Sequence, residues 1–290
     1  AEQQDARRWY YATLALEPYL ARHGLLAAHD PAMQFCIGAA RRSLADPAKA
    51  RQWIDQFLAL TASPTERLTR TDPWRDAASA EVWLSHRKSK APRPAGECKA
   101  TTAKPYLDGK LDDDCWKDGS EMPLQNALGE LGADYSAKAR FAYDEEYLYI
   151  AVECKHAAGQ FAAKVDKRER DMDLASYDRV SIMLDMDRDF QTYYRFQIDQ
   201  RGALAEDCWG DATWNPRWFV AVASDESGWT AEVAIPKAEL TGERLTAGKV
   251  WACNVVRVVP GRGVQSWSQP ADEKPRPEGM GLLLFGEAKK

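Results

Sequence analysis

The stretch YLYIAVEC, residues 147–154, indicates the fold class because its side chains alternate between two environments. Leu148, Ile150 and Val152 form an aliphatic series, and aromatic, small or acidic residues stand between them. A period of two is typical of a β-strand whose two faces meet different surroundings. Similar short runs recur along the rest of the chain: KARFAY (138–143), DRVSIMLD (178–185), TYYRFQID (192–199), RWFVAVA (217–223), GWTAEVAI (228–235), VWACNVVRV (250–258) and GLLLF (281–285). Short strands separated by turn residues, without a helical pattern between them, predict a mainly β protein with an antiparallel β-sandwich.

The first third of the chain has a different pattern. Apolar residues recur there at intervals of three and four, and only two of the 18 glycines occur in it. An acidic or hydroxyl residue followed by proline marks helix starts, because the first residue caps the helix and proline fits its first turn. Four such pairs occur: Asp30-Pro31, Asp46-Pro47, Ser63-Pro64 and Asp72-Pro73. We therefore predict a small α-helical segment over residues 1–91, a proline-rich linker over 92–99 and the β-sandwich over 100–290.

Composition excludes several classes of protein. No apolar run approaches the roughly 18 residues that a membrane-spanning helix needs. The net charge is −5, which is of the wrong sign for a protein that neutralises nucleic-acid phosphates. A glycine-rich phosphate loop is missing, so no nucleotide is expected. His156 is the single histidine of the β-rich part, which disfavours a catalytic triad, and we predict that this chain is not an enzyme.

Aromatic residues on predicted loops are the main functional feature. The stretch EDCWGDATWNPRW, residues 206–218, contains Trp209 and Trp214, and Trp267 lies in QSWSQP. The apolar face of a sugar ring stacks on an aromatic face, and planar polar side chains bind its hydroxyl groups. We therefore predict that Trp267, helped by Trp214 and Trp209, lines a sugar site with Asn254 and Arg257 as hydrogen-bonding residues. The competing interpretation is that these rings fill the core.

The acidic run LDMDRDF, residues 184–190, contains Asp185, Asp187 and Asp189 at alternate positions. Oxygen ligands at this spacing converge on calcium when the backbone turns. The sequence thus offers a structural Ca²⁺ site, with a solvated strand end as the alternative. No other cofactor is expected, and haem in particular is not.

Several motifs together resemble the family 9 carbohydrate-binding modules over roughly residues 98–286. They occur in the family's order: LDGKLDDDCW, ARFAYDEEYLYIAVEC, RERDMDLASYDRVSIMLD, YYRFQIDQRGALAED, GWTAEVAIPKAEL, WACNVVRV and QSWSQP. The resemblance implies a β-sandwich that binds oligosaccharides or polysaccharides without catalysis, often at chain ends between two Trp rings, with calcium supporting the structure. Family members are usually appended to extracellular glycoside hydrolases, so we expect a catalytic module upstream and an extracytoplasmic location, secreted or periplasmic.

The resemblance also assigns residues. Trp267 matches one Trp of the family's clamp, and Asn254 lies on the strand that carries polar contacts. The segment 174–177 stands where the family has its second clamp Trp, and either Tyr177 or Trp214 is the aromatic substitute. Ser181 and Gln197 replace an acidic and a basic contact, although Arg195 is adjacent to the latter.

These departures keep two alternatives open. One is a structural or interaction sandwich that has lost its sugar site. The other is a haem-binding electron-transfer relative, which would need His156 or the methionines Met172, Met183 and Met186 in one pocket.

Two structural predictions complete the sequence analysis. Arg170 and Asp178 are expected to brace the loop RERDMDLASYD, because a guanidinium and a carboxylate suit a bidentate bridge. The chain has six cysteines, and an extracytoplasmic location would favour disulfides. We expect one or two bridges among the four cysteines in the linker, in loops or at strand ends, with Cys36 and Cys253 free. These four are Cys98, Cys115, Cys154 and Cys208.

Overall fold

A computed structural model describes residues 2–23, 30–44, 46–61, 72–117, 120–126, 131–157, 159–160, 162–167, 169 and 171–287. The chain divides into two compact units. The helical unit comprises the residues up to Pro94 together with Asp187–Thr192 and Pro277–Gly279, and the β-unit comprises the remainder. The break between Pro94 and Ala95 falls inside the predicted linker, 92–99. The linker residues after this break belong to a strand, Ala95–Ala100.

The helical unit contains four described helices. They are α1 (Glu2–His23), α2 (Pro31–Ser43), α3 (Pro47–Leu60) and α4 (Pro73–Leu84). Proline opens the last three helices, as the sequence predicts, and Asp30 and Asp72 cap α2 and α4 through their side chains. Asp46 makes no such hydrogen bond, and Ser63-Pro64 lies outside the described residues. No described helix combines the length and the apolar character that a membrane crossing requires.

An aromatic cluster forms the interior of the helical unit. The ring of Phe35 on α2 contacts Trp53 at 5.5 Å, Trp74 at 5.5 Å and Phe190 at 5.2 Å between centroids. Such a cluster buries a large apolar area and adds favourable ring geometry. Phe190 comes from the segment Asp187–Thr192, so the core of this unit draws on residues far apart in sequence.

The described residues of the β-unit form twelve strands. They are β1 (Ala95–Ala100), β2 (Met122–Asn126), β3 (Ala137–Tyr143), β4 (Tyr147–Lys155), β5 (Arg179–Asp185), β6 (Tyr194–Asp199), β7 (Leu204–Cys208), β8 (Phe219–Ser224), β9 (Gly228–Pro236), β10 (Val250–Val259), β11 (Gly263–Ser266) and β12 (Gly281–Phe285). All eight predicted strands are confirmed, and β1, β2, β7 and β11 are additional. Short helical turns in the β-unit are α5 (Asp114–Lys117), η1 (Ala133–Tyr135) and η2 (Lys237–Glu239), and a further turn, η3 (Pro277–Gly279), belongs to the helical unit.

The strands follow the order β7-β6-β5-β10-β11-β2-β3-β4-β9-β8, and β12 pairs with β10 and β1. Neighbours along this path are antiparallel, whereas β1 pairs in parallel with both β12 and β3. The fold is thus the predicted sandwich type with one parallel strand. Its principal core lies between the inner faces, where alternate residues such as Ile150 of β4, Ile182 of β5 and Val233 of β9 are fully buried.

The cysteine prediction requires a correction. None of the six cysteines, all of which the structure describes, is in a disulfide, so the four that were expected to pair do not. Cys98 and Cys154 are fully buried in the principal core, where they pack as small apolar residues. Burial raises the pKa of the Cys154 thiol to about 12, so it stays protonated at neutral pH.

Candidate functional site

Trp267 and Asn254 lie inside the β-unit. The Trp267 side chain is 7% exposed and packs in the principal core. Asn254 Oδ1 accepts hydrogen bonds from the Ser266 hydroxyl at 3.1 Å and the Ser268 amide at 2.9 Å. Asn254 therefore holds the segment after β11 against β10, and the structure assigns both residues to packing rather than to an exposed ligand surface.

Arg257 is also internal. Its guanidinium donates to both carboxylate oxygens of Asp178, and to the carbonyl oxygens of Tyr135 at 2.9 Å and Lys155 at 2.7 Å. These partners use its donors within the protein, so Arg257 braces the sandwich. Asp178 thus has a structural role, and its partner is Arg257. The expected partner Arg170 lies outside the described residues.

Tyr177 and Trp214 are partly buried through contacts with other side chains. The Arg201 guanidinium lies 3.3 Å from the centroid of the Tyr177 ring, so it covers one face of that ring. Trp214 packs against Tyr194 with ring centroids 4.5 Å apart, and against Phe196 at 5.5 Å. Trp214 thus extends the core towards the segment that follows it.

Trp209 is exposed on a hydrogen-bonded turn. Its side chain is 63% exposed, and its backbone has a φ of +53°. Gly210 follows with a φ of +83°, and a bridge joins Cys208 to Asp211 across the turn. The Trp209 amide donates to the Tyr193 carbonyl oxygen at 2.8 Å, which fixes the turn further. Asparagine, aspartate and glycine are the usual residues in such turns, so a Trp here is unusual.

The Cys208 thiol beside this turn is not an activated nucleophile. Burial raises its pKa, and the negative charges of Asp207 and Asp211 raise it further. The thiol is therefore protonated at neutral pH, whereas nucleophilic cysteines need a lowered pKa.

The segment 215–219 carries a row of exposed side chains. Asn215, Arg217 and Phe219 are exposed, Pro216 between them is buried, and Trp218 is half-buried. This alternation is that of an extended chain, which the proline favours at the residue before it. The Phe219 ring is 49% exposed and marks the start of β8.

Trp218 points to the inner side of this segment. Its ring contacts Phe196 with centroids 5.0 Å apart, and its Nε1 donates to Glu206 Oε2 at 3.2 Å. Arg217 Nε donates to Glu239 Oε1 at 3.1 Å, while the Arg217 side chain remains 81% exposed. Trp218 thus anchors the segment on its inner side, and Glu239 contacts the row through Arg217.

A cleft of about 310 Å³ lies along this row. We call it the β8 cleft, and its lining consists of Glu169, Leu204, Glu206, Asn215, Pro216, Arg217, Trp218 and Phe219. It combines aromatic surface with amide, guanidinium and carboxylate groups, which is the mixture that polar ring-shaped ligands need. None of His156, Met172, Met183 and Met186 lines it.

Two of the three aspartates predicted to bind calcium belong to the helical unit, and Asp185 ends β5 in the β-unit. Carboxylate oxygens of Asp187 and Asp189 lie within 4.8 Å of each other, and they are of the type that Ca²⁺ prefers. Burial and the neighbouring Asp187 charge raise the pKa of Asp189 to about 6. Both Asp189 oxygens already accept hydrogen bonds from the Gln191 and Thr192 segment, at 2.7 to 2.9 Å. The donor set fits a cation, and calcium binding stays a prediction.

Residues 107–276 match the family model described as "Carbohydrate family 9 binding domain-like". The chain belongs to this family. The matched range contains the β8 cleft, Trp209 and Trp267, and it confirms the resemblance that the sequence motifs indicated. No curated protein matches the chain.

Solved structures of family 9 modules are similar to this chain. One is a module from Caldicellulosiruptor kristjanssonii in complex with cellotriose, with 15% identity and a TM-score of 0.49, covering 68% of this chain and 95% of that one. Another is a module from the same organism in complex with glucose, with 14% identity and a TM-score of 0.48, covering 67% of this chain and 97% of that one.

The sequence analysis did not single out Asn215, Arg217 and Phe219 as a group. Their spacing of two residues was the available indication, because it places three side chains on one side of an extended segment. The neighbouring Trp residues drew the prediction instead, since tryptophan is the residue expected at a sugar site.

Proposed function

We propose that this chain is a non-catalytic carbohydrate-binding module that takes its glycan in the β8 cleft. One observation carries the proposal: exposed Asn215, Arg217 and Phe219 line the same cleft in a chain of the family 9 type. An aromatic face stacks on the C–H face of a sugar, and planar amide and guanidinium groups bind pairs of hydroxyl oxygens.

The burial of Trp267 and Asn254 supports this choice of site. Both residues would have to leave the interior to contact a ligand. Loss of the packing of a buried Trp side chain destabilises a protein by about 3–5 kcal/mol. Phe219 and Arg217 need no such rearrangement, because their side chains are already exposed.

The wider setting is part of the same proposal. We place the module in an extracytoplasmic protein with a catalytic module for glycans upstream, and we assign a structural Ca²⁺ to the acidic run that contains Asp187 and Asp189. The resemblance to family 9 modules motivates these assignments. The second candidate function is an interaction sandwich without a sugar site, and it is favoured by the burial of Trp267, which matches the family's clamp residue.

A glycan array probed with the full chain tests the proposal. The wild type should bind at least one neutral polysaccharide, and Phe219→Ala and Arg217→Ala should each weaken that binding about threefold to tenfold. Tyr106→Ala is the matched control, because Tyr106 is an exposed aromatic residue at 77% elsewhere in the β-unit. Equal losses for Tyr106→Ala and Phe219→Ala would contradict the cleft assignment. Absence of binding to any glycan would leave the interaction sandwich.

A further inference from the structure

We infer that the β8 cleft binds internal units of a glycan chain that lies along the segment 215–219, rather than a single sugar at a chain end. This inference rests on the proposed function and deepens it. It differs from the chain-end clamp between two Trp rings that the family resemblance implies.

The length of the exposed row is the first argument. Asn215, Arg217 and Phe219 stand two residues apart on an extended segment, and an extended chain advances about 3.3 Å per residue. The first and last side chains are thus up to about 13 Å apart along the segment. A single sugar ring cannot contact both ends of such a row, whereas consecutive units of a chain can.

The orientation of the rings is the second argument. Trp218 and Phe219 are adjacent, so their side chains point to opposite faces of an extended segment. Trp218 packs inward on Phe196 and donates to Glu206, and Phe219 is 49% exposed. These two rings therefore cannot enclose one sugar between them. Trp218 and Phe219 thus do not form the paired rings of a chain-end clamp.

The position of Arg217 is the third argument. Glu239 holds Arg217 Nε at 3.1 Å, and the side chain is otherwise 81% exposed. With Nε on Glu239, the terminal N–H groups of the guanidinium remain available, and their planar arrangement suits a pair of hydroxyl oxygens. Arg217 lies midway between Asn215 and Phe219, so it would contact a unit in the middle of the bound chain.

The test measures affinity as a function of chain length. The full chain is titrated by calorimetry with cello-, xylo-, manno- and laminari-oligosaccharides, from monosaccharide to hexasaccharide, each with a native and with a borohydride-reduced end. We expect affinity for the bound series to rise roughly tenfold from disaccharide to pentasaccharide, and to be unaffected by reduction of the end. Phe219→Ala and Asn215→Ala should each weaken pentasaccharide binding about fivefold and change disaccharide binding much less.

Three outcomes separate this inference from the proposed function. Affinity that does not depend on chain length would overturn the inference and leave carbohydrate binding intact. Loss of binding on reduction of the end would do the same. No binding by any oligosaccharide would overturn both. Thermal melts of the variants and of Tyr106→Ala check that each protein is folded. All should fold as the wild type does, since the substituted side chains are exposed.

Discussion

Arg257 and Asp178 form a bidentate ion pair in the interior of the β-unit. Arg257 Nε lies 2.9 Å from Asp178 Oδ1, and Nη2 lies 2.6 Å from Oδ2. Trp229 Nε1 donates to the same Oδ2 at 3.0 Å. The pair connects β10 with Asp178, the residue that precedes β5. Arg257 lies near the end of β10, whose other inward-facing residues are apolar. Arg257 and Asp178 form their hydrogen bonds with each other and with neighbouring polar atoms of the protein.

Removal of the guanidinium should therefore be costly. We expect Arg257→Met to lower the free energy of unfolding by about 3–5 kcal/mol, because it leaves the buried Asp178 carboxylate without its cation. Urea unfolding of the two proteins measures the difference. Arg244→Met is the control, since Arg244 and its partner Glu145 are both at least 80% exposed and 3.6 Å apart. Equal losses for the two variants would contradict the buried-pair argument.

The strand pattern could have identified this pair in part. Arg257 lies on the same face of β10 as Trp251, Cys253 and Val255, which all face the principal core. A lone arginine on the inner face of a strand requires a buried acid as its partner. The identity of that acid could not be predicted, because Asp178 is 79 residues away in sequence and meets Arg257 only through the pairing of β5 with β10.

The strands found from the sequence were those with an apolar series along them, and β5 and β10 among these are buried on both faces. β1, with the sequence AGECKA, was missed and its residues were assigned to a linker. Its burial does not come from an apolar series: Gly96 is packed so closely that an added Cβ would lie 2.6 Å from the Met122 sulfur. Close backbone approach of this kind depends on the assembled sheet, so local sequence carries no indication of it.

Exposure of the tryptophans was equally hidden from the sequence. Trp209 and Trp267 both stand among polar residues, yet one is 63% exposed and the other 7%. The difference arises from tertiary structure. Trp209 sits at the tip of a turn, whereas the Trp267 amide bonds to the Val255 carbonyl oxygen, which draws the following loop over the core.

Gly109 should be intolerant of any side chain. It has a φ of +86°, and a Cβ at this position would lie 2.5 Å from the Ala223 backbone nitrogen. We expect Gly109→Ala to destabilise the protein by at least about 2 kcal/mol, since left-handed strain and backbone overlap add. Gly210→Ala is the matched control: its φ is +83° and nothing lies within 4 Å of the added Cβ, so strain alone of about 1–2 kcal/mol remains. Thermal unfolding should rank the two in this order.

Gly109 also contributes to a buried carboxylate site. Glu232 is fully buried, and it accepts from Trp116 Nε1 at 2.8 Å and from the amides of Gly109 at 2.8 Å and Asp108 at 3.0 Å. Burial raises the pKa of Glu232 despite these donors. The interaction holds the loop that contains α5 on the outer face of β9, so displacement of Gly109 would also loosen that loop.

Glu81 should make the helical unit sensitive to acid. Burial opposes its charged form, but the guanidinium groups of Arg188 and Arg42 outweigh burial and lower its pKa from 4.5 to about 2. Arg188 Nε lies 2.6 Å from Glu81 Oε1. A lowered pKa stabilises the folded state above the unfolded value, and this contribution is lost as the pH falls from about 4.5 towards 2. The contribution is roughly 3 kcal/mol.

The measurement is urea unfolding of wild type and Glu81→Gln, followed by the helix signal in circular dichroism. The wild type should be the more stable at neutral pH, and the gap should narrow as the pH falls below about 4.5. Glu145→Gln, an exposed carboxylate at 89%, should match the wild type throughout. A gap that does not change with pH would show that the Glu81 charge is not responsible.

Calcium should stabilise the acidic run. The Asp187 and Asp189 carboxylates approach within 4.8 Å, and a bound Ca²⁺ would relieve their mutual repulsion. At a calcium concentration of about 100 times Kd, the gain is about 2.7 kcal/mol. Melting curves in calcium and in chelator should therefore differ for the wild type and coincide for Asp187→Asn. Identical wild-type curves would argue against calcium, and Mg²⁺ serves as the control for ionic strength.

The Trp209 side chain should lower the free energy of unfolding. A side chain at a φ of +53° carries left-handed strain, and a 63% exposed indole gains little from burial in return. Trp209→Asn places a residue that favours this conformation in the same turn, so we expect the free energy of unfolding to rise by about 0.5–1 kcal/mol. The same variant should leave glycan affinity unchanged, because Trp209 does not line the β8 cleft. Urea unfolding and calorimetric titration on one preparation give both values. Lower stability of Trp209→Asn would show that the indole makes folding contacts, and weaker glycan binding would show that the binding surface extends beyond the β8 cleft.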